Sequence, residues 1–429
     1  MPLFARAKED VQPEVVEVPP EPTSIAGAPD PGKSALRGLD AHRDFLLSHV
    51  QSLRPFGIGL LDAAGLTLCE SIVADLDLPT CTSATTDGWA VRASNLAGAS
   101  PRLPVELPVV DEIDVDGYHG APLAKGTAVR VAAGAPVPEG ADAVVPLGDG
   151  EAIEGGVRFT AEARFRQNML LAGSRISDGD LLVPRGAELT PRTLALVAEV
   201  GYDKVLARPR PRVVVLTADT ALVEPGLPLT RLTESYDACT TLLAATARRD
   251  GGQVFAAGIV PAEPKALAIA LGEQLVRADL VLLVTEVNDD LVAMLGREGE
   301  VDVAEVDGLP GRQAFALVGP ERAPVLVLPP GAVPAYLAYL TLGRPLLWRL
   351  SGTEDAGPEP VAAPITEAIE ADPQRTRLVL GRLTARGVAP VTSAEPGTAE
   401  LAQANAVVVV PAGSGTIPAR ADVTCWPLD

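Results

Sequence analysis

The sequence predicts a multidomain α/β plus β protein, with a parallel-sheet α/β domain, an inserted β domain and a C-terminal β barrel or sandwich. Three observations carry this. Residues 209–350 alternate continuous apolar runs with helical segments, the pattern of a parallel sheet covered on both faces. Residues 75–163 carry short β-prone runs separated by Gly/Pro turns. The last 65 or so residues alternate in β fashion, with RTRLVLGRL and NAVVVVPAG as the clearest strands.

Length and composition agree. The chain has 429 residues, room for several domains. Hydrophobic residues make up 47% and aromatics only 3%, with 40 Gly and 40 Pro, so the core must be built from Val, Leu, Ala and Ile between many turns. The net charge of −21 argues against a nucleic-acid backbone or an anionic membrane as the main partner. Cys69, Cys81, Cys239 and Cys425 are scattered without CxxC spacing, which argues against a disulfide scaffold or zinc ribbon. The N-terminus lacks the apolar core of a signal peptide, and a cytoplasmic protein is expected.

Residues 1–33 contain seven prolines and no apolar periodicity, and read as a flexible tail dispensable for folding. A helix is expected over 40–53, with Asp40 as its cap. His42 and His49 lie two turns apart on it, about 10 Å, too far for one metal. Residues 34–74 and 164–208 form a discontinuous helical domain around the inserted β domain at 75–163. Its return segment holds a strand and then a helix capped by Thr190, with Pro191 at the first helical position. In the α/β domain (209–350), strands are expected at 212–217, over QVFAAGIV and at 279–285, and helices at 236–251 and 264–278. Residues 323–343 are uncharged and long enough to span a bilayer, but Pro324, Pro329, Pro330 and Pro334 break any such helix. A buried strand at 325–328, a Pro/Gly turn and a core helix running towards Trp348 are expected instead. A linker precedes the C-terminal β domain (358–429).

Three segments carry a family resemblance. SATTDGWAVRASNL (83–96) is similar to NSAMDGYAVR, VRVAAGAPVPEGADAVVPL (129–147) to RIMTGAPVPEGADAVV, and RPRVVVLTADTALVEPG (210–226) to RVAVLSTGDELVEPG. These are motifs of the MoeA family, the molybdopterin molybdenumtransferases, whose relatives include the gephyrin E domain. The resemblance covers about residues 34–429 and implies an elongated homodimer with a MogA-like α/β domain. It implies transfer of molybdenum from molybdate to adenylylated molybdopterin with Mg2+, in a cleft between the α/β domain of one subunit and the small β domain of the other.

Carried over residue by residue, the resemblance assigns catalytic and metal-binding roles to Asp87 and Asp219, and substrate contacts to Asp237, Arg312 and Arg175. Asp87 with Gly88 equally suits a tight turn, and Asp237 equally suits a helix N-terminus. The departures from the family pattern fall on ligand-facing loops. The Thr before GAPVP is Ala133. NIRxxGED becomes NMLLAGSR, with Leu170 for Arg and Ser174 and Arg175 for an acidic pair. Asp219 is followed by Thr220 and Ala221, without the family's Glu. The glycine-rich GGVSVGDxD loop is TEVNDDLVAML (285–295), bringing Glu286, Asp289 and Asp290 where an anion should sit. MKPGKP becomes GLPGRQ, with Leu309 in place of a cation and only Arg312 left, and LPGNPVS becomes LPPGAVP. This is the pattern of a retained fold with a weakened site: an enzyme of reduced or lost activity, or a silent gephyrin-like dimeric scaffold for a protein partner.

Overall fold

The computed structural model describes residues 23–28, 36–116, 120–353, 359–393 and 395–428. The chain divides into two compact units, residues 55–207 and residues 1–54 with 208–429.

The larger unit is organised by a seven-stranded sheet. Four neighbouring strands are parallel: Gln253–Val260, Arg212–Ala218, Leu280–Val284 and Ala323–Leu328. Their side chains alternate between two cores. Val213, Val215, Leu280, Leu282, Leu326 and Leu328 belong to one, with helices Leu39–Ser48, Cys239–Arg249 and Ala332–Ala338. Val214, Leu216, Val281, Leu283, Val325 and Val327 belong to the other, with helices Pro264–Leu275 and Asp289–Glu298. Burial on both faces explains why these strands read as unbroken apolar runs.

The expected parallel sheet is corrected to a mixed one. Strand Arg312–Val318 runs antiparallel to Ala323–Leu328, and Gly299–Val306 antiparallel to Arg312–Val318. The segment read as uncharged and helix-breaking is a strand, a turn and a helical run to Ser351, with a π turn at Tyr339–Gly343. A Cβ on Gly343 would sit 2.8 Å from the Tyr339 ring. Tyr339 donates to Asp250 at 2.9 Å, beside the buried Arg344–Asp250 ion pair. No helix among the described residues is long and apolar enough to cross a membrane.

The C-terminal sheet runs Val361–Pro364, Asp422–Pro427, Ala406–Val410, Arg377–Thr384, Gly387–Pro390, all neighbours antiparallel. Ile365 continues the first strand and bridges Val388 in the last, which curls the sheet into a barrel.

The smaller unit begins with the ribbon Phe56–Gly59 with Lys204–Ala207 and surrounds a core including Leu68, Ile72, Leu189 and Val197. Thr190 caps helix Pro191–Glu199, its hydroxyl accepting from the Thr193 amide at 3.2 Å. The inserted domain is a six-stranded sheet in the order Ala143–Pro146, Gly88–Val91, Ala128–Val131, Val105–Ile113, Gly156–Phe159, Gly150–Ile153.

Two expectations at the N-terminus are corrected. Helix Leu39–Ser48 packs through Phe45 and Leu46 into the α/β core rather than into a discontinuous helical domain, and Asp40 lies in its first turn, with Gly38 at the cap. The tail reading fails for residues 23–28: Ile25 is 2% exposed within the same core. An apolar side chain in a Pro-rich stretch found a sheet edge that local periodicity could not announce. The rest of the tail lies outside the described residues.

Arg37, on the short strand Leu36–Arg37, is buried against Asp302, its two terminal nitrogens meeting the carboxylate at 2.5 and 2.9 Å. His42 Nδ1 lies 3.2 Å from the same guanidinium. Burial lowers the His42 pKa from 6.5 to about 4, with the Asp302 charge opposing and the Arg37 charge assisting. His42 is therefore neutral in the fold. Between pH 6.5 and about 4 the unfolded chain takes up a proton that the folded chain refuses, so stability falls as pH falls through this window. The difference in pKa corresponds to about 3 kcal/mol. Urea unfolding of wild type and His42→Gln at pH 7.5 and pH 4.5 should give a steeper acid loss in the wild type; equal slopes would contradict the buried neutral imidazole.

Candidate functional site

A cleft of ≈ 710 Å³ opens at the C-terminal ends of the parallel strands. Its position follows from topology. The chain leaves Arg212–Ala218 for Gln253–Val260 through helix Cys239–Arg249 on one face, then crosses to Leu280–Val284 through helix Pro264–Leu275 on the other. The two loops diverge between the adjacent strands Arg212–Ala218 and Leu280–Val284, which is where open α/β sheets hold ligands.

Asp219 and Asp237 both line this cleft. Asp219 follows the strand, and its Oδ1 accepts the Ala221 amide at 2.6 Å. Asp237 is 4% exposed at the start of helix Cys239–Arg249. Its carboxylate accepts the Thr240 amide at 3.0 Å and the Thr240 hydroxyl at 2.5 Å, and that hydroxyl lies 2.8 Å from Thr217 Oγ1. A helix N-terminus is a natural seat for a phosphate; here the protein's own carboxylate takes up a donor of that seat. Cys239, beside it, is buried, and desolvation together with the Asp237 charge pushes its thiol up to about 11, so it is no thiolate nucleophile.

The segment read as an acidic loop at 285–295 is mostly helix. Only 285–288 is loop, and helix Asp289–Glu298 begins at once, capped by Asn288 through the Leu291 amide at 2.8 Å. Asp289 and Asp290 stand in its first turn, where the helix dipole favours acids. Glu286 alone of the three lines the cleft.

Arg312 does not line the cleft. It opens strand Arg312–Val318 and pairs with Asp289 at 2.9 Å. Leu309, where a cation was expected, is 3% exposed in the apolar core. Among the described residues, no Lys or Arg lines the cleft. Sequence reasoning missed the hydroxyls Thr217 and Thr285, and also the wall formed by Pro396, Gly397 and Thr398. That wall comes from the barrel domain, and nothing local in the sequence signals it.

Asp87 and Arg175 belong to the smaller unit. Asp87 Oδ1 accepts the Ala133 amide at 2.8 Å, tying the DGWA turn to the GAPVP turn. A Cβ on Gly88 would lie 2.3 Å from the Val145 carbonyl oxygen, so packing demands the glycine beside Asp87. Arg175 is exposed, its amide donating to Leu78 O at 3.0 Å. Among the described residues no group of three or more His, Cys, Asp or Glu side chains gathers to hold a metal. Asp87, whose Oδ1 is held by a backbone amide, belongs to one unit and Asp219 to the other.

Fold and cleft together define a multidomain α/β protein with a cleft at the sheet's switch point and a β domain inserted near the N-terminus. Residues 37–201 match the MoeA N-terminal region (domain I and II). "Molybdopterin molybdenumtransferase 1" of Mycobacterium tuberculosis (strain ATCC 25618 / H37Rv) is 30% identical over 417 residues, 89% of this chain and 96% of the relative. "Molybdopterin molybdenumtransferase 2" of the same strain is 29% identical over 413 residues, 92% of this chain and 100% of the relative. The crystal structure of a molybdopterin biosynthesis MoeA protein from Pyrococcus horikosii shares the fold, with a TM-score of 0.79 at 24% identity over 92% of this chain and 99% of that one. The chain belongs to the MoeA family.

Asp87 is expected to act on stability of the inserted domain. Asp87→Ala should cost about 1 kcal/mol, the net worth of one hydrogen bond, read as a lower urea midpoint. An unchanged midpoint would free Asp87 for a purely chemical role.

Proposed function

We propose that this chain serves molybdenum cofactor biosynthesis as a MoeA-family protein whose insertion of molybdate into adenylylated molybdopterin is weakened or lost. The observation that carries this is the charge of the cleft: among the described residues Asp219, Asp237 and Glu286 line it and no Lys or Arg does. Molybdate and the substrate phosphates are anions. At an effective dielectric of about 20, one like charge ~4 Å away costs on the order of 4 kcal/mol, and solvent reduces this for an exposed group such as Glu286. At each of the two helix N-termini beside the cleft one backbone donor is already engaged, by Asp237 and by Asn288.

A second reading is a silent, dimeric, gephyrin-like scaffold for a protein partner. It is favoured by the contrast between fold and cleft: the sheet strands keep both apolar cores, while the described cleft lining holds Asp219, Asp237 and Glu286 and no Lys or Arg. Both readings expect a homodimer in the cytoplasm. Light scattering at micromolar concentration should give twice the chain mass of 44.3 kDa, and a monomer would count against both.

The deciding experiment is complementation of a strain lacking its own molybdenumtransferase, scored by nitrate reductase activity. Rescue only at high molybdate is expected for the weakened enzyme. No rescue by a folded protein supports the scaffold, and full rescue at low molybdate sinks both readings. Separately, Glu286→Arg should tighten molybdate binding about tenfold at low salt, measured by calorimetry. No change would mean that electrostatics at this wall does not govern anion binding.

A further inference from the structure

We propose that the outer edge of strand Gly299–Val306 is a peptide-binding edge whose occupant is this chain's own segment 23–25, added as a parallel strand in cis. The inference stands apart from the functional reading above. It concerns a segment that lies before the residues matching the MoeA N-terminal region, which begin at 37.

A sheet edge exposes a row of unpaired N–H and C=O groups, and proteins cover such edges. This edge is covered twice. Ser24 bridges Val301 in parallel, and the Val301 amide donates to Thr23 O at 3.0 Å. Further along the same edge, Leu36 and Arg37 pair in parallel with Glu305 and Val306. The second contact is secured by the buried Arg37–Asp302 pair. The first has one backbone hydrogen bond and one anchor, Ile25, buried in the core that also holds Phe45, Val306 and Leu309. The recognition chemistry is that of strand addition: backbone hydrogen bonds give affinity, and an aliphatic side chain in a pocket gives specificity. A small residue followed by a branched aliphatic one is what the edge accepts.

The edge strand has a position that makes its occupancy matter. It starts directly after helix Asp289–Glu298, whose Asp289 holds Arg312. It ends at Asp307, whose carboxylate accepts the amide and the hydroxyl of Thr376 in the barrel domain at 2.7 Å. Segment 23–25 therefore steadies a strand that joins one rim of the cleft to the barrel.

Hydrogen exchange tests this on the full chain. In Ile25→Asp, the Val301 amide should exchange at least tenfold faster, while the central Leu282 amide keeps its wild-type rate. A chain starting at residue 29 should show the same local loss, and a synthetic peptide of residues 18–28 should restore protection at Val301 where a scrambled peptide does not. If the shortened chain fails to fold, Ile25→Ala in the full chain carries the same comparison. Unchanged Val301 protection in both Ile25 variants would overturn the proposal. Protection lost on dilution of the wild type would overturn the cis assignment in favour of a second copy.

Discussion

Three central strands, Arg212–Ala218, Leu280–Val284 and Ala323–Leu328, must be covered on both faces, because every residue of the latter two and all but one of the first are buried. Most of the larger unit follows from that constraint. A strand apolar on both sides needs helices above and below, and parallel neighbours need long crossovers. Right-handed crossovers on opposite faces force the connecting loops to part between Arg212–Ala218 and Leu280–Val284. The cleft is thus a geometric by-product of burying Val213 and Val214 on opposite sides of one sheet. It persists whatever residues line it. This is why a family fold survives loops that have changed their charge.

The same separation of fold from site sets how much the sequence could disclose. Strand Gln253–Val260 and the Thr190–Pro191 helix start were legible because their signals are local: an apolar run, a cap with proline behind it. The hairpin Gly299–Val306 with Arg312–Val318 was not. Glu300, Asp302 and Glu305 disguise its first strand as polar, and Asp302 is buried only because Arg37 reaches it across 265 positions of chain. Asp219 and Asp237 were legible as cleft residues through motif and strand end. Arg312 was not placed correctly, since its engagement by Asp289 depends on a helix that the sequence presented as a loop. The C-terminal half of the cleft wall, from the barrel domain, has no local signal at all.

Charge inside the cleft is arranged with economy. Three acidic residues in or beside it have structural partners: Asp219 holds a turn, Asp237 a helix start and a threonine hydroxyl, Asp289 an arginine. Such groups satisfy backbone donors that an oxyanion would otherwise meet. The consequence for binding is larger than a count of charges suggests, because an incoming anion meets both repulsion and donors already in use. The Thr217 and Thr285 hydroxyls add to the cleft's polar lining, the latter donating to the Ala218 carbonyl.

The ion pair between Arg37 and Asp302 also fixes an order of events during synthesis. Its partners are 265 residues apart, and ribosomes add roughly 5–20 residues per second. Arg37 leaves the ribosome roughly 13–53 s before Asp302 exists to receive it. In the last third or so of that interval helix Leu39–Ser48 still has an apolar face and no finished sheet to cover it, while residues 55–207 are complete and free to fold. The nascent chain therefore passes through a state with its second segment finished and its first one waiting, a natural point for a chaperone to hold it.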